Sequence, residues 1–121
     1  MSLIERYIDG WKRHDVQAVL ACVTDDCEIV ECYGPIYRGK ATVEDWLTKW
    51  LKTGRVIQWD VTRLWVTDNF ESAQWHFCCS VDGTRHEFDG VSVCDLAAGK
   101  IRYMREYVTT EPLYEWKGAW R

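Results

Sequence analysis

At Val56 the apolar residues of this chain stop recurring every three or four positions and begin to alternate, and they do so almost to the end. A helix face repeats every 3.6 residues and a strand face every two, so this switch divides the chain into a helical part and a strand-rich part. In the first part Leu3, Ile4, Tyr7, Ile8 and Trp11 form one amphipathic helical stripe. His14-Asp15 interrupts it, and Asp15 caps a short second helix whose apolar side carries Ala18, Val19, Cys22 and Val23. Thr24-Asp25-Asp26 turns the chain into a strand over 27–33. After Gly34-Pro35 and Arg38-Gly39, Thr42-x-x-Asp45 reads as a capping box. The helix it opens places Val43, Trp46, Leu47, Trp50 and Leu51 on one stripe and stops at Gly54. The alternation then predicts strands over 56–67, 71–81, 84–96 and 100–109. The last stretch, 111–121, holds Pro112, Tyr114, Trp116 and Trp120 and reads as an ordered tail that packs on a neighbour.

Turn chemistry decides which of these side chains share a face. Asp82-Gly83 is a two-residue hairpin signal that pairs Val81 with Thr84, hence Cys79 with His86, Phe77 with Phe88, Trp75 with Gly90 and Ala73 with Ser92. The next turn reads as a three-residue loop, Ala97-Ala98-Gly99, because an Ala-Gly pair suits neither primed two-residue turn. It sets Ser92 opposite Met104, Gly90 opposite Glu106 and Phe88 opposite Val108. One face then gathers Trp75, Phe77, Cys79, His86, Phe88, Gly90, Ser92, Met104, Glu106 and Val108. A glycine across from a glutamate leaves room for the carboxylate and for a ligand.

The length fits one domain over 1–121. A net charge of −4 with no basic run argues against nucleic acid as a partner, since neutralising phosphates needs clustered Lys and Arg. No apolar run approaches a membrane span, and Met1 to Glu5 lacks the basic and apolar regions of a signal peptide, so a cytoplasmic location is expected. The six cysteines read as reduced structural thiols. Cys78 and Cys79 face opposite sides of a strand, and Cys22, Cys27 and Cys32 match no zinc spacing. His14, His76 and His86 fall at a helix joint, on the outer face and near the cavity mouth, and offer no metal site.

Two acidic residues stand out. Glu31 and Glu106 sit inside otherwise apolar, aromatic strands, and Tyr7 lies on the helix expected to pack beside Glu31. A carboxylate buried without a partner is costly, so it is either repaired by hydrogen bonds or used for chemistry. Glu31 is placed to abstract a proton, or else is satisfied by backbone groups or Arg38. Tyr7 is placed to donate its hydroxyl to a developing oxyanion, or else is a core aromatic. Glu106 is a second acid that shares a proton with Glu31, or else an ion-pair partner of Arg102 or Arg63. Ser92 is a donor in the pocket floor or a small space-filler. Trp46, Trp50, Trp75, Phe77, Phe88, Gly90, Met104 and Val108 form the wall of a pocket for a small apolar or aromatic molecule. No cofactor is required. The outer face mixes Val91, Val93, Tyr103 and Tyr107 with Asp89, Asp95, Arg105 and His76, a pattern suited to a two-fold homodimer.

Helix, short helix, strand, helix and four antiparallel strands is an order that resembles the nuclear transport factor 2-like superfamily. Tyr7 to Gly34 is similar to the ketosteroid isomerases: Tyr7 falls on their oxyanion-hole tyrosine and Glu31 on their general base. Phe88-Asp89-Gly90-Val91-Ser92, Gly99-Lys100-Ile101 and Arg105-Glu106-Tyr107 resemble SnoaL-like proteins. The resemblance implies an α+β, cone-shaped barrel with three N-terminal helices packed on a strongly curved, mainly antiparallel sheet. It also implies general acid–base chemistry of isomerase, cyclase, dehydratase or epoxide hydrolase type, with a ligand-binding or dimerisation module as the alternative. The isomerases use an aspartate as base, a protonated aspartate where this chain has Ser92, and an apolar wall where it has Glu106. These departures point away from steroid isomerisation itself.

Overall fold

The computed structural model describes residues 1–121. Helix α1 (Leu3–Lys12) starts at a capping box, in which the Ser2 hydroxyl accepts from the Glu5 amide and the Glu5 carboxylate accepts from the Ser2 amide. Its stripe of Leu3, Ile4, Tyr7, Ile8 and Trp11 is buried. Helix α2 (Val16–Leu20) is capped by Asp15, whose carboxylate accepts from the Ala18 amide at 3.0 Å. The two helices meet at Gly10, where an added Cβ would lie 2.8 Å from Val19 Cγ2. After β1 (Val23–Val30) and β2 (Ile36–Arg38) comes α3 (Lys40–Thr53). Four long strands then follow: β3 (Gly54–Val66), β4 (Phe70–Val81), β5 (Thr84–Ala97) and β6 (Lys100–Val108).

All six strands form one sheet in the order β2-β1-β6-β5-β4-β3, antiparallel except where β1 runs parallel to β6. Register shifts at Val56/Gln58 and Val61/Arg63 in β3, and at Arg102 of β6 opposite Asp95/Leu96, add local twist and curl the sheet. The three helices cover its concave face, giving the expected α+β cone. Val43 and Leu47 of α3 pack there at full burial with Ile29, Ile101 and Met104. No helix is long and apolar enough to cross a membrane.

The Asp82-Gly83 hairpin forms with every pairing expected of it, both turn residues having positive φ. The next turn differs. Ala98 and Gly99, at φ 53° and 74°, make a two-residue turn that closes Ala97 against Lys100. A bulge then skips Arg102, so Asp95 faces Tyr103. The two deviations add to a shift of two residues: Ser92 faces Glu106, Gly90 faces Val108 and Cys94 faces Met104. Two is the side-chain period of a strand, so the inward face survives although the opposed pairs do not. The chain accepts an alanine at positive φ because a primed turn matches the twist of the flanking strands. Gly90 therefore makes no room for Glu106 or a ligand. A Cβ there would lie 2.5 Å from Trp75 Cη2 and 2.5 Å from the Tyr107 carbonyl, so the glycine admits the Trp75 indole.

Three further expectations are corrected. The N-cap of α3 is Gly39, with no side-chain cap, and Thr42 lies inside the first turn. Strand β1 begins at Val23, so Asp25 and Asp26 belong to its irregular first half and Glu31 lies just past its end. The short strand β2, which alternation over so few residues could not signal, pairs back on β1. The 110–121 stretch has no helix or strand; within it Trp116 lies against Trp120 at 5.3 Å and Arg121 over the Tyr114 ring.

One buried carboxylate went unremarked in the sequence. Glu71 of β4 is 4% exposed and accepts from the amides of Leu3 and Ile4 at 3.3 and 2.8 Å, fastening the N-terminus of α1 to the sheet.

Candidate functional site

Between α1, α3 and the concave face lies a cavity of about 540 Å³, open at one end. The β4 and β5 faces contribute Trp75, Phe77 and Phe88, β6 contributes Val108, and α3 contributes Trp46 and Trp50. Edge-to-face and tilted contacts among Trp75, Phe77 and Phe88, at 5.3–6.2 Å, fix that wall. His86 lines the cavity next to the hairpin turn, whereas His76 lies on the outer face between Asp89 and Glu87, each at 2.7 Å.

Glu31 and Glu106 both line this cavity, and neither has a cationic partner. Arg38 pairs with Glu28, and Arg102 approaches Asp26, so the ion pairs considered from sequence do not form. Glu31 accepts a hydrogen bond from the Tyr37 hydroxyl at 2.5 Å. The tight turn after β1 brings this about. The Gly34 amide donates to the Glu31 carbonyl and the Glu31 amide to the Pro35 carbonyl, returning the chain so that Tyr37 lies beside Glu31. Stacking of Tyr37 on Trp46, with centroids 4.0 Å apart and planes 7° from parallel, holds the phenol in place.

Glu106 reaches the cavity from β6. Its Oε2 accepts from the Ser92 hydroxyl at 3.1 Å, and Ser92 Oγ in turn accepts from Trp75 Nε1 at 3.0 Å. Ser92 is 1% exposed and does not line the cavity, so its proton is committed to Glu106 and not to a ligand. Met104 and Gly90 are likewise buried behind the wall.

Burial pushes the Glu106 carboxyl up to about 7; the charge of Glu31 adds to the rise and the Ser92 hydrogen bond opposes it. Glu31 is raised too, chiefly by burial, but the Tyr37 hydrogen bond restrains the shift. The two environments thus push Glu106 further up than Glu31, so as pH rises Glu31 gives up its proton first and Glu106 second. Tyr7 is 1% exposed and its hydroxyl makes no well-formed hydrogen bond; burial followed by the charge of Glu106 holds it well above its ordinary pKa, with the nearby Trp11 indole N–H opposing the rise. Trp11 Nε1, Trp46 Nε1 and Trp59 Nε1 are also buried without partners, and all four residues line the cavity.

Sequence reasoning missed Trp11, Trp59, Tyr33, Cys32 and Tyr37. Trp11 was visible only as a core position of α1, and the bulges of β3 hid the inward turn of Trp59. Tyr37 had no periodic signal at all.

A model of the SnoaL-like domain matches residues 4–104. The chain belongs to the SnoaL-like family. Both cavity elements that carry the carboxyls fall in or beside the matched span, Glu31 within it and Glu106 two residues past its end. A comparison with curated proteins found no match. Among solved structures, this SnoaL-like chain is similar to an LEH-like epoxide hydrolase of M. tuberculosis. The TM-score is 0.80 and the identity 16%, over 88% of this chain and 80% of that one. It is also similar to a hypothetical protein of ketosteroid isomerase-like fold from Catenulispora acidiphila, solved in complex with trimethylamine. There the TM-score is 0.79 and the identity 12%, over 89% and 85% of the two chains. A ketosteroid isomerase-like protein from Erwinia carotovora gives 0.69 and 14%, over 91% and 92%. At these identities the likeness is one of fold.

Proposed function

We propose that this SnoaL-like protein is a cofactor-independent acid–base enzyme acting on a small apolar or aromatic, oxygen-bearing molecule held in the cone. The observation that carries the reading is that two carboxyls with no cationic partner share one aromatic cavity, Glu31 held by a phenol and Glu106 by a serine. Glu31, ionised, takes a proton from carbon or from a water. Glu106, protonated, delivers one to the substrate oxygen, and the free Tyr7 hydroxyl donates to the charge that develops there. Tyr37 and Ser92 act through the carboxyls they touch and are positioning residues. Isomerisation, cyclisation, dehydration and epoxide hydration are all reachable with this set. The epoxide hydrolase with the same fold supports the class without choosing among them.

Activity is then bell-shaped in pH, rising as Glu31 ionises and falling as Glu106 loses its proton near 7, the two limbs belonging to the pair. The test is carbon-detected NMR titration of Glu31 and Glu106 in the wild type and in Glu31→Gln. Two raised midpoints, with that of Glu106 moving down once Glu31 is neutral, support the reading. Both midpoints near the free value of about 4.3 would refute it. We further propose that Val91, Val93, Tyr103 and Tyr107 bury the outer sheet face in a homodimer, and that the six free thiols suit the cytoplasm. Sedimentation equilibrium decides the first.

A further inference from the structure

We infer that the molecule this cavity takes carries a protonated amine on its apolar or aromatic skeleton. The inference rests on the reading of the cavity as a small-molecule site and adds the charge of its ligand. The lining holds two carboxyls, Glu31 and Glu106, and no Lys or Arg; its one basic side chain is the imidazole of His86, beside the hairpin turn. The nearby cations are spent elsewhere: Arg38 on Glu28, Lys40 on Asp25 and Lys49 on Asp45. A neutral ligand that closes this space over Glu31 leaves a charge desolvated and unpaired, and an anionic ligand adds repulsion. A cation removes both penalties.

The wall is built for the same guest. Trp11, Trp46 and Trp59 all line the cavity, with their indole N–H groups buried from solvent. The negative face of an indole attracts an organic cation, and attracts it most where water is excluded. Tyr7 supplies an independent sign of an absent ligand. Its hydroxyl is buried, lines the cavity, lies within range of both carboxyl charges, and has only the Trp11 indole N–H beside it, without a well-formed hydrogen bond. Its oxygen can accept from an ammonium, and the carboxyls can do the same. The fit is to an amine of modest size with apolar substituents, which the aromatic wall holds while the charge meets Glu31.

Three probes of nearly one shape separate charge from shape: N,N-dimethylbenzylamine, isobutylbenzene and phenylacetate, titrated against tryptophan fluorescence at about pH 7.5, where the amine is protonated. The amine is expected to bind at least tenfold more tightly than isobutylbenzene, and phenylacetate more weakly than either. Its affinity should strengthen severalfold between about pH 5.5 and pH 8, in the wild type and in a His86→Gln variant alike, as Glu106 gives up its proton, while that of isobutylbenzene does not rise. A Glu31→Gln, Glu106→Gln double variant, shown by urea denaturation to be folded, should lose the preference for the amine. Equal or tighter binding of isobutylbenzene or phenylacetate overturns the inference, and so does failure of the amine to saturate by roughly 10 mM. Because the wild-type pH series needs no variant, a double variant that fails to fold leaves the test intact. The acid–base reading fails separately, on unshifted carboxyl titrations, and stands if only the neutral probe binds.

Discussion

Glu71 and Glu106 point inward from the same sheet, one from β4 and one from β6, and their surroundings are opposite. Glu71 is closed in at the N-terminus of α1, where two backbone amides donate to its oxygens and the helix dipole favours its charge. Glu106 opens on an aromatic cavity, with one serine hydroxyl as donor and a second carboxyl as neighbour. The first carboxylate fastens a helix to the sheet. The second has been given a hydrogen bond that orients it and surroundings that disfavour its charge, which is costly for stability and useful for proton transfer.

Four substitutions put that contrast at risk. Glu71→Ala should cost the most, about 3–4 kcal/mol in urea unfolding, because it strips the acceptor from two buried amides. An unchanged unfolding midpoint would remove Glu71 from the structural role. Glu106→Gln should act in the other direction. The folded protein holds this proton at a pKa of about 7 against 4.5 in the unfolded chain, so the wild type loses stability as pH rises from 4.5 through 7. Glutamine cannot ionise, and its gain should be absent near pH 4 and on the order of 3 kcal/mol near pH 8. A gain equal at both pH values would mean that Glu106 is not strained by its charge.

Ser92→Ala should cost about 2 kcal/mol, since Trp75 loses its acceptor and Glu106 its only side-chain donor. It should also move the Glu106 midpoint further up, and a Glu106 titration that does not move would break the link. Tyr37→Phe should be the mildest, about 1 kcal/mol, and should raise the Glu31 midpoint toward that of Glu106. If the two midpoints stay as far apart as before, the phenol is not what distinguishes the two carboxyls.

Much of this was legible before any coordinates. The Asp82-Gly83 turn set the β4–β5 pairing residue by residue, and the apolar stripe of α1 put Tyr7 inside. The β5–β6 pairing was misread by two residues, because neither a left-handed alanine nor a bulge at Arg102 leaves a mark in the residue pattern. The inward direction of Ser92 and Glu106 survived that error only because a strand repeats every two residues. Glu71 shows the converse. Nothing near it along β4 marks its carboxylate, since the amides that claim it belong to residues nearly seventy positions earlier.

Local chemistry along the chain settled the kinds of element, their order, the shared face of the long strands and the presence of two acids in apolar surroundings. Periodicity, caps and turns act over a few residues and are written there. Which acid finds a partner was decided by the closed structure alone. Tyr37 reaching Glu31, Ser92 interposed between Trp75 and Glu106, and the absence of any lysine or arginine from the cavity depend on how curved strands and helices converge. No short stretch of sequence contains that information.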